Sequence, residues 1–391
     1  MNSIDLEALN HWVLTKQHLT PDSRCDDVLR TVSDVGGLHA TNPTTPYLSL
    51  AARSLGFARD RLDDELYVRR SLAKLRCVRT TIYVLTREMI PAAYAATSSL
   101  ARRASAAYMQ FRGVLPETYA QLSRRILDLL KGEEMTAAGL RSRLNAQADV
   151  SAVINLMCDE GLLIRGRPAR SWRDRSQFYA PFAGYFPDVR LDRMCEAEAT
   201  THLVRQYLGS FGPATMSDVV WWTGFTTARV RAALNALAGQ LDQVRVAGLA
   251  GDLLLLRSEA SLAAEGAPPG PPAVNLLPTL DPYLMGYRER ARWLDERHRE
   301  WIFDRGGNAT STILIDGRAV GVWDSAQDGE ACVKLYLFEE PEKAARERLE
   351  TEARRMGEFM LDQAVRVRRC ERMVPLSQRT AGGVMAPLKG C

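Results

Sequence analysis

The chain has 391 residues, 46% of them hydrophobic and 25% charged, which is ordinary for a folded protein and too long for one compact core. No stretch approaches the roughly 18 apolar residues of a membrane span, and the opening MNSIDLEALNHWVL carries acids where a secretory signal needs bases, so a soluble cytoplasmic chain is expected. Net charge is only +4, but 45 of the 51 basic residues are arginine, the side chain suited to bidentate phosphate contact and to stacking on aromatic rings. Genomic GC bias accounts for that excess equally well, so its distribution has to decide. The seven cysteines are scattered and odd in number, and no CxxC pair occurs. A disulfide framework and a zinc site are therefore not expected, and a reduced cytosol is the natural compartment.

In chain order, LEALNHWVLTKQHL has helical spacing. Pro21, Asp22 and Ser23 break it and cap a second helix in CDDVLRTVSDVGGL, which Gly36-Gly37 ends. YLSLAARSLGF restarts a helix, and RSLAKLRCVRTTIYVLT reads as a helix running into a strand. A second unit begins near Pro116. Its helices are PETYAQLSRRILDLLKG, TAAGLRSRLNA and DVSAVINLMCDEG, followed by a two-stranded wing in LLIRGRPARSWRDRSQFYAPF. Three helices and a basic hairpin form the winged helix-turn-helix pattern. It recurs about 80 residues on, in EATTHLVRQYLGSFG, TMSDVVWWTG and TTARVRAALNALAGQL with a hairpin from QVRVAG and DLLLLRSE. AAEGAPPGPP at 263–272 reads as a linker. Beyond it come a hairpin turning at Asp316-Gly317, a third strand, a long charged helix and a tail that reads as disordered or weakly docked. The predicted units are 1–115, 116–192, 193–262 and a β-rich 273–375, with a tail at 376–391.

The sharpest basic patch is RGRPARSWRDR. Arg165, Arg167, Arg170, Arg173 and Arg175 surround Trp172, which reads as an exposed wedge between base steps on an arginine-bearing wing. Among five histidines, His39 lies in the polar, irregular segment GGLHATNPTTP, a place that suits a functional loop, although a histidine bonded to its own turn is commoner. His11 and His202 fall in helical patterns and read as structural, and His298 as a surface residue. Asp63, Asp64 and Glu65 read first as acids at a helix N-terminus, or else as carboxylates that stabilise positive charge. Trp221-Trp222 reads as core. No Walker A, GxGxxG, HExxH or GxSxG motif occurs, which removes support for the nucleotide-binding and hydrolytic classes that depend on them.

VGGLHATNPTTPYLSLAARS, LRCVRTTIYVLT, SFGPATMSDVVWWTG, NLLPTLDPYLMGYRER and ILIDGRAVGVWD, in this order, resemble the AlkZ-like and YcaQ-like winged-helix DNA glycosylases. The resemblance spans about residues 30 to 325. It implies an α+β, mainly α fold: three tandem winged helix-turn-helix units in a C-shaped arrangement around a DNA-sized channel, with a small β-rich C-terminal domain. It also implies a monomer that excises bulky alkylated bases from double-stranded DNA at the nucleoid, without a cofactor, as repair or as self-resistance to a genotoxin.

The family's Gln–apolar–Gln or Gln–apolar–Asp motif corresponds to His39 and Thr41 here, a departure from the pattern. By that correspondence His39 and Thr41 would hold the attacking water; Asp63 or Asp64 is then the candidate to stabilise charge, and Arg76 and Arg79 the candidates to hold phosphates beside the site. An N7-alkylpurine is already cationic and departs without a general acid, so a monofunctional glycosylase needs few groups. A non-catalytic winged-helix DNA-binding protein or regulator is the alternative. The scarcity of base-reading residues, only Asn155, Arg229 and Arg231 on the recognition helices, counts against sequence-specific regulation.

Overall fold

A computed structural model of the chain describes residues 3–260, 270–327, 329–379 and 386–388. Strand β1 (Ser3–Ile4) leads into helix α1 (Leu6–Lys16), whose start is set by Asp5: its carboxylate accepts from the N–H of Glu7 at 2.8 Å and of Ala8 at 3.2 Å. Asp27 caps α2 (Val28–Asp34) in the same way. Then come β2 (Leu38–His39), α3 (Thr45–Arg53) and α4 (Arg59–Asp63), which continues into a wide π-type turn over 64–68. Asp63, Asp64 and Glu65 therefore lie at the end of a helix rather than at its N-terminus.

The segment expected to run from helix to strand is instead a hairpin, β3 (Leu72–Arg76) and β4 (Ile82–Thr86). Leu-Ala-Lys-Leu-Arg favours a helix locally, but five residue pairs with the β-branched run of β4 outweigh that preference. A 22-residue helix, α5 (Ile90–Phe111), follows.

The next stretch matches the three-helix-plus-hairpin pattern in α6 (Pro116–Leu129), β5 (Met135–Thr136), α7 (Ala137–Leu144), α8 (Val150–Asp159), β6 (Leu163–Pro168) and β7 (Gln177–Pro181). Its helices pack on a core of their own around Ile126, Leu140, Val153 and Met157. After α9 (Phe182–Tyr185) the pattern returns in α10 (Glu196–Phe211), α11 (Met216–Thr223), α12 (Thr227–Ala236), β8 (Leu241–Val246) and β9 (Leu253–Leu256). Thr215 and Thr226 cap α11 and α12. Most of the expected linker, residues 263–269, lies outside the described residues.

The last sheet contains β10 (Val274–Leu277), then, past the short α13 (Arg299–Ile302), β11 (Thr312–Ile315), β12 (Arg318–Ala326) and β13 (Cys332–Leu337). Helix α14 (Lys343–Leu361) crosses it, and β14 (Arg366–Arg369) completes it in the order β10-β11-β12-β13-β14. The β11–β12 turn holds Asp316 and Gly317 at φ 48° and 77°, the left-handed pair a tight hairpin requires. Part of the expected tail is docked: Leu376 and Leu388 are buried, and the Leu388 N–H donates to Asp324 at 3.0 Å.

Sheets and cores cross the boundaries expected from sequence. β1 pairs with β8, and the six-stranded sheet β2-β4-β3-β6-β7-β5 joins two hairpins edge to edge through the single pair Lys74–Arg165. Cys25, Cys77, Cys158, Cys195 and Cys332 are free thiols, whereas Cys370 is disulfide-bonded. Among the described residues no helix is long and apolar enough to cross a membrane, and no cluster suits a metal ion.

Candidate active site

The path of the chain into the HAT segment depends on Gly36 and Gly37, at φ 74° and 97°. A Cβ on Gly37 would stand 2.6 Å from a Leu85 methyl and 3.1 Å from the Val84 carbonyl, so only glycine lets β2 lie against β4. In that register His39 faces Tyr83, with ring centroids 5.2 Å apart. The next residues stay tied to β4: the Ala40 N–H donates to the Ile82 carbonyl at 2.7 Å, and the Ile82 N–H to Thr41 Oγ1 at 3.3 Å.

His39 is 4% exposed, and Thr41 beside it is exposed. Burial, helped by the nearby Arg79 charge, pulls the imidazole down to about 3, so the ring is neutral at physiological pH. Its Nδ1 accepts a 3.4 Å bond from the Thr41 N–H. The single proton of the neutral ring therefore sits on Nε2, which has no hydrogen-bond partner among the described residues. In this arrangement the neutral imidazole offers an N–H at Nε2. Thr41 Oγ1 uses one lone pair on Ile82 and keeps a second lone pair and its own proton.

Arg79 sits in the turn between β3 and β4 at φ 50°, and Thr80 follows at φ 55°. The Arg79 guanidinium lies 4.2 Å from the centre of the Trp221 indole, on α11. Arg290 reaches the same indole at 5.2 Å and Phe303 at 3.7 Å. The two tryptophans of α11 thus divide: Trp222 is buried at 2% exposure, as expected of core, whereas Trp221 is only half-buried and carries the two arginines.

A cleft of about 120 Å³ opens beside Ala40 and Thr41, walled by Tyr47, Leu66 and Val84 and closed by Trp172 and Arg175 of the β6–β7 hairpin. Lys74 reaches into it and donates to the Gly166 carbonyl at 3.2 Å; burial pulls its amine down to about 8, opposed by Asp63. Asp63 accepts a 2.6 Å bond from the Tyr47 hydroxyl, and burial holds its carboxyl above the usual range.

The structure distributes the remaining predicted residues unevenly. Asp64 pairs with Arg69 at 2.6 Å on an outward-facing turn. Arg76 is drawn onto Asp159 at 3.1 Å and Ser105 at 2.8 Å, and Arg165 is 4% exposed and bonded to Asn155. Arg165 thus serves the interior, and Arg76 is tied to the buried Asp159 carboxylate. Trp172 is not the exposed wedge expected: it packs edge-on to Tyr47 and Phe359 with Arg59 4.3 Å from its ring, while Arg173 donates to the Met360 carbonyl of α14. Arg167, Arg170 and Arg175 remain exposed on the hairpin, Arg170 paired with Asp174 at 3.0 Å. Sequence reasoning missed Lys74, Tyr47, Trp221 and Arg290. The one available signal was the arginine in NLLPTLDPYLMGYRER, and nothing local ties it to the first hairpin.

Residues 32–359 match the family described as "DNA glycosylase AlkZ-like". A curated relative, the "Interstrand DNA cross-link repair glycosylase" of Streptomyces sahachiroi, is 25% identical over 331 residues, covering 80% of this chain and 86% of that protein. The solved structure of the Streptomyces sahachiroi DNA glycosylase AlkZ superposes with a TM-score of 0.75 at 21% identity, over 94% of this chain and all of that one. At that identity the match speaks for the mixed, mainly helical fold.

Proposed function

The chain belongs to the AlkZ-like DNA glycosylase family, and from that premise we propose that it hydrolyses the N-glycosidic bond of bulky N7-alkylpurine adducts in duplex DNA, acting as a monomer built on tandem winged-helix units. Self-resistance to a genotoxin is a use consistent with this chemistry. What supports the reading is a buried, neutral His39 whose Nδ1 lies 3.4 Å from the Thr41 N–H, next to an exposed threonine hydroxyl, in the segment that the sequence resemblance matches to the family's motif.

The chemistry asks little of the protein. Alkylation at N7 gives the purine a positive charge, so the base leaves as a neutral group and the sugar passes through an oxocarbenium-like state. The site then needs a water held on the open face of that sugar. His39 Nε2–H donates to one lone pair of the water, and Thr41 Oγ1 accepts one of its protons. The second lone pair attacks C1′, and the released proton passes to solvent. His39 acts by placement rather than by acid–base exchange. Asp63, turned toward Tyr47 and Lys74, balances the cleft and is not a partner to this water. Unmodified purines, whose leaving group is poor, are not substrates. Arg167, Arg170 and Arg175 hold backbone phosphates from the exposed hairpin.

The test uses a duplex with one N7-alkylguanine and reads abasic sites. His39→Ala lowers single-turnover base release by at least ~100-fold, at the lower end of the range for one positioned polar group, and leaves duplex affinity within a few-fold. His39→Gln, whose amide N–H replaces Nε2–H, retains most of the activity. Release by His39→Ala at the wild-type rate would remove His39 from the reaction.

A further inference from the structure

Arg79 and Arg290 share a platform and lack a counter-charge. Both guanidiniums lie over the Trp221 ring, and among the described residues neither forms an ion pair with a carboxylate, whereas the partly buried Arg24, Arg53, Arg76 and Arg355 do. Asp304, Asp218 and Glu296 act on them only from a distance, while Arg299 adds to the positive charge. Arg290 is 6% exposed; one of its nitrogens donates to the Gly307 carbonyl at 3.3 Å, and its Nε is a buried donor with no partner. Unpaired guanidiniums are costly to bury.

The surroundings hold this arrangement in place. Gly224 ends α11 at φ 73°, where a Cβ would come 3.4 Å from Arg79 Cα, and Gly307 at φ 75° lies against both Arg290 and Trp221. Arg79 and Thr80 both occupy the left-handed region, uncommon for non-glycine residues and twice in succession here. From that turn Arg79 reaches the Trp221 indole, and its charge is felt at the His39 ring.

We infer that Arg79 and Arg290, stacked on Trp221, form a seat for one phosphodiester oxyanion of the DNA strand, the phosphate adjoining the nucleotide presented to His39. The inference rests on the glycosylase reading in naming DNA as the source of the phosphate and His39 as the group its neighbouring nucleotide meets. One anion supplies what the cluster lacks: a negative charge between two guanidiniums and acceptors for their unused N–H groups. The indole fixes the planes of both forks, so the strand is held in one register relative to Thr41.

The experiment is a phosphate scan. The full chain binds a duplex carrying a tetrahydrofuran abasic analogue, which has no glycosidic bond to cleave, and each phosphate near the analogue is replaced in turn by a neutral methylphosphonate. One position is expected to weaken wild-type binding by about tenfold or more, the scale of a charge-assisted bond. The same replacement should leave the affinity of Arg79→Asn unchanged, a variant chosen because asparagine tolerates the left-handed backbone. Arg290→Lys, which keeps a charge, should retain part of the sensitivity, and its thermal melting reports that it is folded. A scan with no distinct position, or a variant as sensitive as the wild type, overturns the seat. A flat scan with base excision intact sinks this inference alone. A positive scan with His39→Ala fully active sinks the catalytic reading and leaves the seat standing.

Discussion

A histidine buried against tyrosine and arginine has to give up its proton, and the pH dependence of folding should show it. The imidazole falls to about 3 in the folded chain, against roughly 6.5 when unfolded. Its contribution to stability is complete above the unfolded value. It declines as pH falls from about 6.5 toward 3, because the unfolded chain takes up a proton that the folded ring refuses. Calorimetry should therefore show wild type losing more of its melting temperature between pH 7 and pH 4 than His39→Gln does. Equal losses would mean that His39 is not held neutral. His39 could be singled out in the sequence because it is a polar residue in an irregular segment between paired glycines and prolines. Its protonation state could not, because Arg79 and Tyr83 reach it through strand pairing across some forty positions.

Helices with strong local punctuation were the legible elements. The Asp149, Thr215 and Thr226 caps fall where the residue type announces them, and the apolar periodicity of α6, α8 and α10 survives folding. The hairpin after α8 was legible as an element but not in its exposure. Five arginines in eleven positions read as one surface, yet Arg165 is drawn inward onto Asn155 of α8, and α14 meets Arg173 and Trp172. The part of the hairpin proposed to meet DNA is then Arg167, Arg170 and Arg175. Replacing Arg170 and Arg175 with Ala should lower affinity for all duplex sequences alike and reduce the slope of log K against log salt by about one for each phosphate that is no longer neutralised. An unchanged slope would place the hairpin away from DNA.

At the scale of the whole molecule, helix α3 and the segment that follows β10 are joined by an ion pair with no exposure at all. Arg53 at the end of α3 meets Asp281 with both nitrogens at 2.8 Å, and Ser49 and the Tyr283 N–H complete the carboxylate. Asp281→Ala would leave a buried guanidinium unpaired, at a cost of about 3–5 kcal/mol. Chemical denaturation should show that loss, and a change under about 1 kcal/mol would mean that water reaches Arg53.

By itself the sequence determined the kinds of local structure, the recurrence of three helices and a hairpin, and the family, because caps, periodicity and ordered motifs act between near neighbours. The tertiary structure decided which charges are free. Arg53 and Arg76 are consumed by partners distant in the chain and Arg165 by Asn155 of the preceding helix, while Arg79 and Arg290 are brought to one indole with no acid to meet them. An arginine's availability depends on what folding places beside it, and no spacing along the chain encodes that.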